Sequence, residues 1–350
     1  MIISRAPLRI SFMGGGSDLS AFYEKEVGRV ISTAIDKYIY LVFNHTPMVN
    51  RVTARYFHSE SVNHPLELKH DRIREALLDL GIKSNIEIGA FAHLPSRTGL
   101  GSSSSFSVAL MKGLHAYLGK KIGARESAEA AARLETDLLK EPIGKQDHYA
   151  AAAGGFNVLE FHPDRVEVQP VLLDFERRAL LEESIILFYT NITRDASTVL
   201  TEQSVRTKDD SAHREIVRRM VDMVLPFKDA LMKGNLEDLG ALLSRGWQLK
   251  RQLASNISNP VIDALYNAAL EHGAWGGKLL GAGAGGCLLF LAPPERHAAI
   301  KAALFACARE HSLEETSDIP VRFVQSGAEI VFNTHHPQMV RTLEPVWKST

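Results

Sequence analysis

The chain has 350 residues, 45% of them hydrophobic and 23% charged, enough for two domains with a sizeable core. Forty basic residues stand against 41 acidic ones, a net charge of −1, which argues against nucleic acid or an anionic membrane surface as the main partner. Cys287 and Cys307 are the only cysteines, so neither a disulfide framework nor a cysteine metal site is expected. No apolar core of signal-peptide length opens the chain and no run is long enough to span a bilayer, so a reducing, cytoplasmic setting is expected. His335-His336 lies in a polar stretch and reads as solvated.

In chain order, residues 8–12, 30–32 and 38–43 are rich in β-formers and read as strands separated by glycine-rich or polar turns. Residues 86–89 form a further strand leading toward Pro95, and helices are expected over 103–118 and 125–140, the second stopped by Pro142. Phe156–Phe161 and residues 166–168 read as a hairpin around Pro163-Asp164. Ile185–Tyr189 is a short apolar run typical of a buried strand. Helices follow over 211–233, 236–253 and 260–272, with Gly273 as a C-terminal cap, then strand Cys287–Leu291, helix 295–310 and strand 321–324. The expected division is 1–182 and 183–350. No functional signal is read in residues 61–71.

The most informative stretch is 95–105, Pro-Ser-Arg-Thr-Gly-Leu-Gly-Ser-Ser-Ser-Ser, with a helical apolar pattern directly behind it. Two glycines let the backbone curl close to a ligand, and four hydroxyls arrive where helix N–H groups lack partners. That combination makes an anion site, with phosphate the commonest guest. It is not a Walker A loop, because no Lys-Ser or Lys-Thr follows the second glycine. A Ser-capped helix after a flexible turn is the plainer alternative.

Two carboxylates stand near this loop in sequence. Glu135 falls on the apolar stripe of Ala128, Ala131, Ala132, Leu138 and Leu139, where an acid must be paired or bind a metal. Asp147 follows 12 residues later, beside Lys145 and a glycine turn at Gly144, at the start of an alanine-rich helix where N-capping is the plainer role. A phosphate loop, a metal-binding acid and a second acid beside a lysine are the parts of phosphoryl transfer to an alcohol. Two more glycine clusters occur. Residues 5–18 run from Arg9 into Gly14-Gly-Gly16, presenting Ser17 and Asp18, either to sugar hydroxyls or to local backbone. In residues 276–286, Gly281, Gly283 and Gly286 match G-x-G-x-x-G, but a helix precedes and a strand follows, the reverse of a dinucleotide fingerprint. That cluster reads as a loop whose backbone packs against a ligand or another loop.

These three blocks, in this order, resemble the three motifs of the galactokinase, homoserine kinase, mevalonate kinase and phosphomevalonate kinase (GHMP) superfamily. Residues 13–18, 144–147 and 190–197 look most like its D-glycero-D-manno-heptose 7-phosphate kinases, with fucokinase-type domains close by, while the Glu-His-Thr-Asp-Tyr segment of galactokinases is absent. The resemblance implies an α+β fold: an N-terminal ribosomal-protein S5 domain 2-like domain and a C-terminal ferredoxin-like one, with the active site between them. It implies ATP and Mg²⁺, and phosphorylation of the anomeric hydroxyl of a heptose 7-phosphate toward nucleotide-activated heptose. A free-sugar kinase and a non-catalytic sensor are the alternatives. Carried over by position, Asp147 would be the catalytic acid with Lys145 assisting, and Glu135 and Ser103 the magnesium ligands. Pro95, Gly99, Leu100, Gly101, Ser102, Ser103, Ser104 and Ser105 would hold the nucleotide. Arg9, Gly15, Gly16, Ser17, Asp18, Arg194 and Gly283 would meet the sugar, with Arg9, Lys37, Arg97 and Arg194 as candidates for its phosphate. The expected partners are ATP and a small sugar phosphate, not nucleic acid or membrane, and a homodimer is left open.

Overall fold

Two long strands organise the first half of the chain. The computed structural model describes residues 1–192 and 196–336. In it β1 (Ile2–Met13) pairs antiparallel with β2 (Gly28–His45), from Ile2 opposite Phe43 to Met13 opposite Ile31. The 18-residue β2 then serves two neighbours. Its C-terminal half pairs with β5 (Ile86–Ala92), which carries β3 (Val52–Arg55) and β4 (Ser59–Val62) beyond it. Its N-terminal half pairs with β6 (Phe156–Phe161), which forms the expected hairpin with β7 (Val166–Pro170).

One face of this sheet is covered by helix Ser102–Tyr117, whose Val108, Leu110, Leu114 and Tyr117 pack on Ile2, Leu41 and Phe43. The other face, with Leu8, Ile10, Phe12 and Ile31, meets a second core built from Leu187, Phe227, Leu243 and Leu289. Strand β1 is therefore clamped between two cores.

The second sheet contains β8 (Ile185–Tyr189), β9 (Gly276–Leu279), β10 (Cys287–Leu291) and β11 (Ser317–Asp318). Its antiparallel spatial order, β11-β8-β10-β9, is the 4-1-3-2 order of a ferredoxin-like sandwich. Alternate residues of β8 and β10 face opposite cores, Leu187 and Leu289 on one side and Phe188 and Phe290 on the other.

Four local expectations change. The helix expected over 211–233 is two, Ser211–Asp222 and Val224–Lys233, because Pro226 cannot donate to the carbonyl of Asp222. The helix from Ala124 keeps α geometry only to Arg133, and Leu134–Leu138, carrying Glu135, form a π turn. Residues 321–324 form no strand, leaving a single bridge between Phe323 and Ile35. Instead β12 (Glu329–Asn333) returns to pair with β1, so the expected second domain gives its end to the first sheet. Beyond it His335 is half-buried rather than solvated, its ring stacked 4.7 Å from that of Tyr117.

Gly113 shows how tightly helix and sheet meet. A Cβ there would lie 2.1 Å from the ring of the fully buried Phe43. Alanine is the better helix former by about 1 kcal/mol, but overpacking a filled core costs about 1–3 kcal/mol. Gly113→Ala should therefore lower stability in urea unfolding; a gain would mean that Phe43 swings aside freely.

Candidate active site

Strand β1 delivers Arg9 to the start of helix Gln146–Ala153, and there Arg9 grips Asp147 with two parallel bonds. Nε donates to Oδ1 and Nη2 to Oδ2, each at 2.7 Å. Such fork-to-fork pairs fix orientation as well as charge. Arg9 is buried, while the Asp147 side chain keeps 22% of its surface open. Asp147 is therefore no N-cap: Lys145 holds that position, and the Asp147 carboxylate stays partly open at the helix start.

The second glycine segment closes over the pair. The third guanidinium nitrogen, Nη1, donates to Gly99 O at 2.7 Å, and Arg9 N donates to Leu100 O at 3.0 Å. Gly101, at φ +77°, passes so close that a Cβ would sit 3.2 Å from Arg9 Cγ and 3.3 Å from Asp147 Oδ2. Helix Ser102–Tyr117 starts at that point, its free N–H groups beside Asp147. The serines divide by helical phase. Ser102 and Ser103 stay accessible, Ser104 donates to Glu135 at 3.2 Å, and Ser105 donates to Pro7 O at 2.8 Å. Leu100 is buried in the core and Pro95 is exposed.

The third glycine segment packs on the second, backbone to backbone. A Cβ on Gly281 would meet Gly99 Cα at 2.6 Å, one on Gly286 would meet Thr98 O at 2.6 Å, and Cys287 N donates to Thr98 O at 2.9 Å. Of the two options for this cluster, contact with another loop is thus realised. Gly283 packs on Ile257. Two lysines absent from the sequence reading lie behind the segment. Lys250 donates to Gly281 O and Leu279 O, and Lys278 to Ser11 O and Phe12 O. Lys250 continues the buried stripe Leu239, Leu243, Trp247, the same signal that marks Glu135.

At the first glycine turn Ser17 is locked in place, its hydroxyl donating to Gly14 O at 2.8 Å and accepting from Arg29 N at 3.0 Å. It is structural here, not a free sugar contact. Asp18 is 3% exposed and accepts from Gly16 N, Gln146 N and Gln146 Nε2. Burial, with the charge of Asp147 adding, raises its pKa against those hydrogen bonds. Gly144 is required beside it, since a Cβ would fall 1.9 Å from Asp18 Oδ2. Asp18 thus braces the loop that presents Asp147. Gly15 remains open, its nearest neighbour Gln146 Nε2, 3.7 Å from a Cβ position. Lys145 carries its ammonium over the Tyr23 ring, 5.0 Å from the centroid, rather than onto Asp147. Arg9 is fully engaged and Lys37 pairs with Asp36 at 3.0 Å, whereas Arg97 is exposed. Arg194 lies outside the described residues.

Glu135 is entirely buried and fully used. Oε1 accepts from Arg72 Nε at 3.0 Å and Ser107 Oγ at 2.5 Å; Oε2 accepts from His148 Nε2 at 2.9 Å and Ser104 Oγ at 3.2 Å. Burial alone would raise its pKa, but His148, Arg72 and Ser107 outweigh it and bring it down to about 2. Four donors fill both oxygens, so the carboxylate in this arrangement does not fit the role of magnesium ligand expected for it. Its expected co-ligand Ser103 is exposed, and within the run Ser102 to Ser105 it is Ser104 that reaches Glu135.

Family models match both halves of the chain: GHMP kinases N terminal domain over residues 67–155 and GHMP kinases C terminal over residues 227–309. The chain belongs to the GHMP kinase family and is an ATP-dependent phosphotransferase. It is 29% identical over 313 residues to the D-glycero-alpha-D-manno-heptose 7-phosphate kinase of Campylobacter jejuni, covering 84% of this chain and 90% of that one. It is 27% identical over 313 residues to the bifunctional fucokinase/GDP-fucose pyrophosphorylase of Arabidopsis thaliana, covering 82% of this chain and 29% of that longer protein. A D-glycero-D-manno-heptose 1-phosphate kinase structure from Bacteriodes thetaiotaomicron shares the fold, with a TM-score of 0.78 at 24% identity over 96% of this chain and 100% of that one.

Glu135→Gln should cost about 3 kcal/mol at neutral pH, because it removes one partner from a buried charged network, and should leave the Mg²⁺ titration of activity unchanged. The folded-state pKa of about 2 lies below the ordinary 4.5, so this contribution is full above 4.5 and is lost as pH falls toward 2. Urea unfolding should bring wild type and variant together over that window. A several-fold shift in the Mg²⁺ midpoint would return Glu135 to the metal.

Proposed function

We propose that the protein transfers the γ-phosphoryl group of ATP to the anomeric hydroxyl of D-glycero-D-manno-heptose 7-phosphate, giving the 1,7-bisphosphate. The observation that carries this reading is the partly open Asp147 carboxylate, fixed by Arg9 beside Gly101 and the free N–H groups of helix Ser102–Tyr117. The nucleotide, entering as its magnesium complex, would lay its phosphates on that helix start, with the Ser102 and Ser103 hydroxyls in reach. Asp147 orients the sugar hydroxyl and accepts its proton as the new O–P bond forms and the bond to ADP breaks. The proton then leaves to solvent as product departs. Arg9 keeps the carboxylate facing the cleft throughout.

The sugar assignment is supported by the similarity to the Campylobacter jejuni heptose 7-phosphate kinase along most of both chains. Gly15 also leaves open space at the first turn, which a bulky sugar phosphate could use, whereas Gly16 is packed against Gln203. The similarity to the Arabidopsis thaliana fucokinase favours a second reading, phosphorylation of free fucose by the same chemistry.

ADP release across heptose 7-phosphate, mannose 6-phosphate, fucose, galactose and mevalonate separates these readings. Turnover with the heptose phosphate alone supports the proposal; turnover with fucose alone replaces it. With the accepted sugar, Asp147→Asn should lower kcat by roughly 10²-fold or more, assayed below its unfolding transition because loss of the counter-charge of buried Arg9 should also lower the melting temperature. Near-wild-type turnover would remove Asp147 from the chemistry.

A further inference from the structure

Each of the three glycine segments has a backbone carbonyl held by a buried cation. Arg9 holds Gly99 O in the second segment. Lys250 holds Gly281 O in the third, together with Leu279 O at 3.3 Å. Lys278 holds Ser11 O at 3.0 Å and Phe12 O at 2.9 Å, at the end of β1 just before the first glycine turn. Lys250 and Lys278 are only 7% and 6% exposed.

Among the described residues the charges do not balance. Facing Lys250 are Arg9 from β1, Lys278 from β9 and Asp147 from the helix Gln146–Ala153, and Asp147 is already paired with Arg9. The two lysines rest on neutral carbonyls. Burying an ammonium with no carboxylate of its own is expensive, and an apolar side chain would fill the same helical stripe without that cost. A lysine kept there, with its head on the loop that packs against the phosphate segment, is explained by a guest that brings negative charge.

We propose that Lys250 is a positioning residue for phosphoryl transfer: its ammonium, bonded to Gly281 O and Leu279 O, fixes the third glycine segment against the second, where the nucleotide phosphates would lie. The inference rests on the kinase reading and not on the choice of sugar. Its electrostatics agree: burial first, then Arg9, bring the pKa of Lys250 down to about 7 against the pull of Asp147. An arriving polyanion would raise that pKa again, so ATP binding near neutral pH should draw a proton onto Lys250.

The test is calorimetric titration of ATP at pH 7.5 in buffers of different ionisation enthalpy, on wild type, Lys250→Met and Lys250→Arg. Wild type should take up a substantial fraction of a proton that both variants lack, since arginine is always charged. With the accepted sugar, Lys250→Met should lose on the order of tenfold in kcat with little change in the sugar KM, and Lys250→Arg should recover part of it. Equal proton uptake in wild type and Lys250→Arg, or full turnover in Lys250→Met, would overturn the proposal. If Lys250→Met fails to fold, Lys250→Arg still decides the proton linkage. The calorimetry needs ATP alone, so rejection of every sugar in the panel would sink the substrate assignment and leave the Lys250 result standing.

Discussion

The Arg9–Asp147 pair is the constraint around which the rest of the site is shaped. A guanidinium this deeply buried must spend its donors well, and Arg9 spends three of its nitrogens on Asp147 and Gly99 O. Satisfying it requires three backbone stretches distant in sequence to meet within hydrogen-bond reach. That convergence explains the glycines better than flexibility does. Gly101 gives way to Arg9 and Asp147, Gly144 to Asp18, and Gly281 to Gly99. At each of these places another side chain would displace a group that holds Asp147 or the phosphate segment.

Three buried or half-buried acids near the cleft take three different parts because their neighbours differ. Glu135 meets Arg72, His148 and two hydroxyls, and its charge is locked into the scaffold. Asp18 meets backbone amides and a side-chain amide but, among the described residues, no cation, and burial beside Asp147 raises its pKa. Asp147 meets a cation on one side and keeps 22% of its side chain open on the other, so its charge is not locked into the scaffold as that of Glu135 is. Chemistry follows from environment here more than from residue type.

Much of this was legible in the chain. The order of the glycine segments, the helix behind residues 95–105 and the acid on the 128–139 stripe all follow from local spacing, whereas the α+β class follows from the family resemblance that those segments carry. What local spacing cannot give is the partner of a side chain. Arg72 reaches Glu135 from 63 positions away, on a helix, Asp71–Asp79, that was not among the expected elements. Which serine faces Glu135 depends on how the helix is rotated against β1; with that rotation fixed, Ser104 and Ser107 share one face and Ser105 takes Pro7. Lys145 was placed beside Asp147 by sequence proximity, but the turn at the helix start sends it to Tyr23. β12 is short, with its apolar residues half-exposed, so its pairing with β1 is a tertiary fact without a strong local signature.

The excess of cations around Asp147 connects stability to function. Arg9, Lys250 and Lys278 crowd one buried region with Asp147 as the carboxylate facing them, and the lysines answer by shedding charge: burial, then their cationic neighbours, lower both pKa values. An arrangement of this kind costs the empty protein folding energy. On the proposal made for Lys250, a multiply charged phosphate chain would lower that cost by giving these cations a counter-ion. Lys278 extends the same logic across the two cores, since it rises from β9 in the second sheet to carbonyls of β1 in the first. Nucleotide charge, loop position and the contact between the two sheets therefore bear on one another through the same few buried nitrogens.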